Sequence, residues 1–274
     1  MTRTHLNFIA LILIASAPCA SATSTEDQLR KSYLNTEQFL RHSYASDALR
    51  FDGNGNPKNH EQQGPWTTLS CVVIDALRLK SEKLEFGGHR CLIVFDDQTR
   101  KMRSIELKET FNIQVPAIDG PDQEARLSAA LAQVFVPPND LASVVPDYWR
   151  DYIARATGKP VQGAPCEDSK VKEVEPGNVG EKTTSGVSEG RKIHDVMPIY
   201  SAIARQSRVQ GELALIAVID KDGNVSRVCI THALGAGLDD SMVDAVIQWK
   251  YSPYRLDGQP IEVQTTIKTR FGFR

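Results

Sequence analysis

The chain has 274 residues, of which 41% are hydrophobic and 24% charged, with a net charge of −2 and five cysteines. That length accommodates two modest domains at roughly 100–200 residues each. The balanced charge excludes the basic footprint of a nucleic-acid binder or of a protein held on an anionic membrane surface.

The chain opens with Arg3, then the apolar run LNFIALILIAS, then Ala20-Ser21-Ala22. A basic start, a short apolar core and a small-residue cleavage site predict a secretory signal peptide over 1–22, with Thr23 as the first mature residue. One alternative is an uncleaved membrane anchor, although the run falls short of the roughly 20 apolar residues a span needs. The other is a lipoprotein at Cys19, against which Pro18 stands where a small residue is required. Export leaves Cys71, Cys91, Cys166 and Cys229, an even number in an oxidising compartment, with no CxxC or His-paired spacing for a metal. Disulfides are the favoured reading, with free buried thiols as the alternative. Three connectivities are open. Cys71 with Cys91, inside one strand-rich block, and Cys166 with Cys229 form the preferred set.

Residues 23–157 are expected to form a β-rich domain with flanking helices. Leu29, Tyr33, Leu40 and Tyr44 recur at mixed helical spacing, which predicts one or two helices between Glu26 and about Leu49. FDGNGNPKNHEQQGP is turn chemistry throughout. LSCVVIDALRL, KLEFGG, HRCLIVFD and RSIELKETFNIQV then read as an antiparallel meander, punctuated at Gly87-Gly88 and Asp96-Asp97. Two helical patterns follow. One places Leu127, Leu131 and Val134 on one face. The other brings Tyr148, Trp149 and Tyr152 together behind Pro146, as core packing first and a ligand platform second.

From 158 to 190 the composition turns to Gly, Pro, Ser, Glu and Lys, and a linker is expected. Gly186-Val187-Ser188-Glu189-Gly190 matches the GxSxG pattern, but neither the strand before it nor the helix after it, which the nucleophile elbow needs, is present in the pattern. Two calcium-like stretches, from Asp52 and from Asp220, carry Pro or Gly at the wrong places for an EF-hand loop and read as turns. His42, His60, His89, His194 and His232 are scattered, and no catalytic constellation, metal set or cofactor motif emerges.

The last 84 residues, 191–274, show the sharpest pattern. ELALIAVI is an apolar strand, Asp222-Gly223 turns it, and VSRVCIT returns. Asp239 is placed to accept the free N–H groups of a helix start, with Leu238 stapled on Val243. Met242, Ala245, Val246 and Trp249 share one helix face, and Pro253 ends the helix. In the last strand Val263, Thr265, Ile267, Thr269, Phe271 and Phe273 alternate with Gln264, Thr266, Lys268 and Arg270, the mark of a half-buried antiparallel strand. The class is α+β, ending in a ββαβ unit whose helix covers a three-stranded antiparallel sheet.

Pro198-Ile199-Tyr200, Arg205, Gly211, the Asp220–Gly223 turn with Val225, Gly235, Leu238-Asp239, Ala245-Val246, Trp249-Lys250-Tyr251, Pro253, Gly258, Pro260 and Phe271 together resemble the TonB C-terminal domain over residues 196–273. GPWTTLSCVVIDALRL and PDYWRDY look similar to N-terminal domains that accompany such tails in bacterial envelope proteins, a looser match that implies no activity. The main resemblance implies a periplasmic, non-enzymatic contact module. Its last strand, Val263 to Phe271, would offer a free edge to an extended segment of an outer-membrane transporter or another envelope protein. Lys268 and Arg270 also fit simple protection of an edge against aggregation. Ser201 stands where the family places Pro after the Tyr, and Met197 where it places a polar residue. The sequence shows neither the inner-membrane helix nor the long spacer of an energy transducer. A transducer whose N-terminal segment stays uncleaved, and so membrane-bound, is one alternative. An enzyme with its site in the N-terminal domain is the other.

Overall fold

The computed structural model describes residues 24–58, 63–80, 82–96, 98–118, 120–160, 171–174, 187–188 and 190–272. The first helix, α1 (Thr25–Tyr33), starts where the Ser24 hydroxyl accepts the Asp27 N–H at 3.1 Å. Among the described residues before 50, only this helix forms. The second half of the expected helical stretch is instead β1 (Glu37–Leu40), β2 (Ser43–Tyr44) and β3 (Ala48–Arg50). The reason is pairing over distance: β1 lies against Cys71–Val73, and β3 runs parallel to residues 112–114. A spacing that is ambiguous over ten residues is decided by those ladders.

Then come β4 (Gln63–Gly64), β5 (Cys71–Lys80), β6 (Lys83–Phe95) and β7 (Met102–Pro116), the last three an antiparallel meander. Strand β6 runs unbroken through Gly87–Gly88, opposite a register shift between Ile74 and Ala76. The glycine pair therefore marks a bulged stretch of one strand and not the turn its composition suggests. Cys71 and Cys91 are direct cross-strand partners joined by a disulfide, with Cα atoms 4.9 Å apart. Helix α2 (Gln123–Val134) and β8 (Phe135–Val136) follow, then a 3₁₀ turn over Pro138–Ser143 and α3 (Asp147–Ala156). The six-stranded sheet has the order β3-β7-β6-β5-β1-β8. One of its faces buries Leu49, Ile74, Phe86 and Ile113 against Leu29 of α1 and Leu127 and Leu131 of α2.

Within 158–190 the described residues include two short strands, β9 (Lys172–Glu173) and β10 (Val187–Ser188). Beyond them lie β11 (Lys192–His194), α4 (Ala202–Gln206), β12 (Gly211–Ile219), β13 (Val225–His232), α5 (Leu238–Val246), β14 (Lys250–Tyr251), β15 (Arg255–Leu256), β16 (Gln259–Pro260) and β17 (Val263–Phe271). Three antiparallel strands, β13-β12-β17, make the expected sheet, and β9 adds a fourth, parallel strand at its edge. The expected three-stranded sheet is thus four-stranded, because two residues between the sheets supply main-chain groups that β17 can pair with.

A second core runs from one sheet into the other. Trp66, Ile93, Phe95, Trp149 and Tyr152 pack with Leu213, Ala236, Leu238, Met242 and Phe271 in one cluster. Phe95 meets the Tyr152 ring edge-on at 5.0 Å and the Trp149 ring at 5.6 Å, so the aromatic group on α3 fills this seam. Polar groups fix the register: Ala236 N–H donates to Ile93 O at 2.8 Å, Phe95 N–H to Leu234 O at 3.2 Å, and Gly237 N–H to Thr68 Oγ1 at 2.8 Å. The end of β6, beyond the start of β5, is what receives the 234–236 loop.

Candidate protein-binding edge

Strand β12 is the centre of the C-terminal sheet, with β13 on one side and β17 on the other. Helix α3 packs against β13, the far outer strand, so the N-terminal half of the chain covers that side. β17 pairs with β12 without a slip from Gly211–Phe271 to Ile219–Val263. Val263, Thr265, Ile267 and Phe271 are buried, Thr269 is half-buried, and Lys268 and Arg270 are exposed. The alternation is therefore real along the strand, while Phe273, expected on the same face, lies outside the described residues.

Which main-chain groups face outward follows from one contact. The Val174 N–H donates to Gln264 O at 2.8 Å, so the Gln264 carbonyl points away from β12. Both main-chain groups of a strand residue point to the same side, and the side alternates. Thr266, Lys268 and Arg270 therefore present N–H and C=O outward, and Thr265, Ile267 and Thr269 bond to β12. Strand β9 occupies the first part of this edge, at Val263–Lys172 and Gln264–Glu173. Among the described residues, no strand other than β12 pairs with β17 beyond Gln264. Six outward groups, three donors and three acceptors, remain at 266, 268 and 270. Lys268 Nζ lies 3.5 Å from Glu212 Oε1, and both side chains are well exposed, so the pair leaves the main chain accessible.

At the far end of the edge the Tyr200 ring meets the Phe271 ring at 5.6 Å, and its hydroxyl donates to Val209 O at 2.7 Å. Ser201 caps α4 by accepting the Ala204 N–H at 3.2 Å. A hydroxyl there gives the helix start an acceptor that a Pro would lack.

Other sequence-selected residues land differently. Gly223 has φ +84° in the β12–β13 turn, where Asp220 Oδ1 accepts the Asp222 and Asn224 N–H groups at 2.9 and 2.8 Å. Asp52 holds its own turn in the same way. Helix α5 starts behind Gly237, and the carboxylate of Asp239 reaches back to Leu234 N–H at 2.9 Å and Gly235 N–H at 2.6 Å. Asp239 therefore locks the seam loop instead of capping the helix. Trp249 and Pro253 both lie beyond the helix, which stops at Val246. Its last turn closes through Trp249 N–H to Val246 O, and Tyr251 N–H then pairs with Gly223 O at 2.8 Å. Pairing with the hairpin turn ends the helix before proline is reached. Trp249 is half-buried, with its indole N–H on Val196 O at 2.8 Å and Lys192 Nζ 3.7 Å from the ring centre.

Val187 is buried and the Ser188 hydroxyl donates to Arg255 O at 3.3 Å, so the GxSxG serine sits in a short β-ladder. Cys229 is disulfide-bonded as well. Cys166, the partner preferred for it from sequence, and residues 1–22, expected to be an export signal, lie outside the described residues. The residues that sequence reasoning missed are at the seam. Asp240 Oδ1 accepts both the Trp149 Nε1–H at 2.9 Å and the Tyr148 hydroxyl at 3.1 Å. Burial raises the Asp240 carboxyl and pushes Asp239 up to about 8, against the pull of its two N–H donors. The Asp-Asp pair at the start of α5 was visible in the sequence, but nothing local told which distant groups it would hold.

Residues 196–273 match the family model described as the Gram-negative bacterial TonB protein C-terminal. Protein TonB of Vibrio cholerae serotype O1 is 35% identical over 77 residues, which cover 28% of this chain and 32% of that protein. Protein TonB of Xanthomonas campestris pv. campestris is 31% identical over 75 residues, covering 27% of this chain and 34% of that protein. The matched segment thus spans about a third of the length of these relatives. The solution NMR structure of the Pseudomonas aeruginosa TonB CTD is similar at 16% identity and a TM-score of 0.29, covering 37% of this chain and 94% of that one. Sequence motif and family match thus agree on one segment: residues 196–273 are similar to the TonB C-terminal domain.

Proposed function

We propose that the chain is a non-catalytic protein-binding component of the cell envelope, exported to the periplasm, that takes up an extended partner segment by strand addition to β17. The observation that carries this reading is the run of outward main-chain groups at Thr266, Lys268 and Arg270, with β13 covered on the other side of the sheet. Strand addition draws its affinity from main-chain bonds and its selectivity from alternate side chains. An outer-membrane transporter segment fits this role, in line with the family match at 196–273. Among the described residues no helix is long and apolar enough to cross a membrane. The division into an export segment 1–22, an N-terminal domain 23–157, a linker 158–190 and the C-terminal domain 191–274 belongs to the same proposal.

Proline substitution tests it. Thr266→Pro and Lys268→Pro each remove one outward donor and leave the β12 ladder intact. Both should remain folded by circular dichroism and lose capture of a synthetic peptide copying the periplasmic N-terminal segment of an outer-membrane transporter. Ile267→Pro, which removes a donor to β12, should unfold the sheet, and Lys268→Ala should alter only the salt dependence. Two folded Pro variants that bind as well as the parent would refute strand addition. Sequencing the mature N-terminus checks the location: Thr23 as first residue fits export with cleavage, and an intact Met1 fits the anchored transducer.

A further inference from the structure

Where the two sheets meet, the surface holds a groove of about 370 Å³ that neither half of the chain forms alone. Thr67 and Leu69 line it from the turn before β5, Met197 and Ile199 from the segment before α4, and Asp240 and Asp244 from α5. No residue of β17 contributes to it. Met197 and Ile199 are 77% and 73% exposed, the two most exposed large apolar side chains among the described residues. They are not carried on a loose strand of chain. Ile199 N–H donates to Ser241 Oγ at 2.7 Å, Val196 O accepts the Trp249 indole N–H, and Pro198 holds Met197 extended.

The charged side chains of the groove have one sign, among neutral hydroxyl and amide groups of Thr67, Ser201, Ser241 and Gln248. Asp240 spends Oδ1 on Tyr148 and Trp149, while its Oδ2 is buried with no hydrogen-bond partner. Asp244, one turn on, is exposed. Among the described residues no Lys or Arg ion-pairs with either carboxylate. A buried carboxylate oxygen short of donors is costly, and no Lys, Arg or His is among the residues that line the groove. An incoming cation would stabilise the ionised form of Asp240 that burial disfavours and meet the Asp244 charge beside it, in a partly desolvated place where such pairing is strongest.

We propose that this groove binds a short protein segment that sets a Lys or Arg side chain against Asp240 and Asp244 and a neighbouring apolar side chain against Leu69, Met197 and Ile199. Charge complementarity selects the occupant: an acidic segment would bring like charge against Asp244 and further disfavour ionisation of Asp240, and a purely apolar one would leave Oδ2 unpaired. The site is separate from strand addition to β17 and does not depend on it.

The blocked peptide acetyl-Leu-Arg-Leu-amide, titrated into the full chain and followed by backbone amide NMR, tests the proposal, with acetyl-Leu-Glu-Leu-amide as the reversed-charge control. The Arg peptide should give saturable shifts at Ile199, Ser241, Asp244 and Gln248, and the Glu peptide should bind at least roughly tenfold more weakly. Asp244→Lys, on an exposed side chain with no partner, should weaken the Arg peptide by a similar factor without moving the melting temperature. Ile199→Ser should weaken it through the apolar side, again with the fold retained. Equal binding of the two peptides, no binding, or an unchanged affinity in Asp244→Lys would overturn the assignment. Shifts confined to Val263–Phe271 would place the peptide on the sheet edge and also overturn it, while leaving the strand-addition reading standing.

Discussion

Replacing Gly235 with Ala tests whether the two sheets are stable as one unit. Gly235 has φ +85°, and a Cβ built there would lie 2.1 Å from Ile93 O and 2.6 Å from Val94 Cα. The left-handed backbone alone costs an L residue about 1–2 kcal/mol. The overlap with a carbonyl forces residues 234–236 away from β6, which breaks the Ala236 to Ile93 bond at 2.8 Å and the Phe95 to Leu234 bond at 3.2 Å. At about 0.5–1.5 kcal/mol net for each bond, the total loss is about 2–5 kcal/mol. Urea unfolding followed by tryptophan fluorescence reads it directly, because Trp66 and Trp149 are 1% and 0% exposed and flank the seam. A loss below about 1 kcal/mol would mean that the loop shifts without weakening the seam, and the shared-core account would be refuted.

Gly223→Val should lower stability by about 2 kcal/mol or more, since a branched residue is placed at φ +84° and its Cβ would come 2.0 Å from Tyr251 O. An unchanged melting temperature would remove the turn from the account. Trp249→Ala should cost about 2 kcal/mol, below the ~3–5 of a fully buried aromatic, because the indole is half-buried and held by one hydrogen bond and Lys192. Chemical denaturation that shows the full core penalty would place this side chain deeper than the structure does. Burial pushes the Asp239 carboxyl up to about 8 and raises Asp240 too, above the unfolded value of about 3.9. The folded chain then holds more protons than the unfolded chain between about pH 4 and pH 8, and its stability falls as pH rises through that window. Thermal melting should be higher at pH 5 than at pH 8, and the opposite order would show that both acids are charged in the fold.

Features set by neighbours along the chain were legible in the sequence. The Asp220–Gly223 turn, the alternation over Val263–Phe271 and the apolar face of Met242, Ala245 and Val246 depend on dihedral preferences and periodicity within about ten residues. So does the family resemblance at 196–273, because its residues are mainly those turns and faces. Tertiary structure decided what depends on partners far along the chain. Residues 37–50 became strands because distant ladders outweighed an ambiguous spacing. Helix α5 stopped short of Trp249 and Pro253 because Tyr251 pairs with Gly223, and β17 lost the first part of its edge to Lys172–Glu173. Asp240 reaches Trp149 across 91 positions and Gly237 reaches Thr68 across 169. No local pattern encodes such pairs, since burial of an acid or an aromatic is favourable only once its partner has been brought alongside.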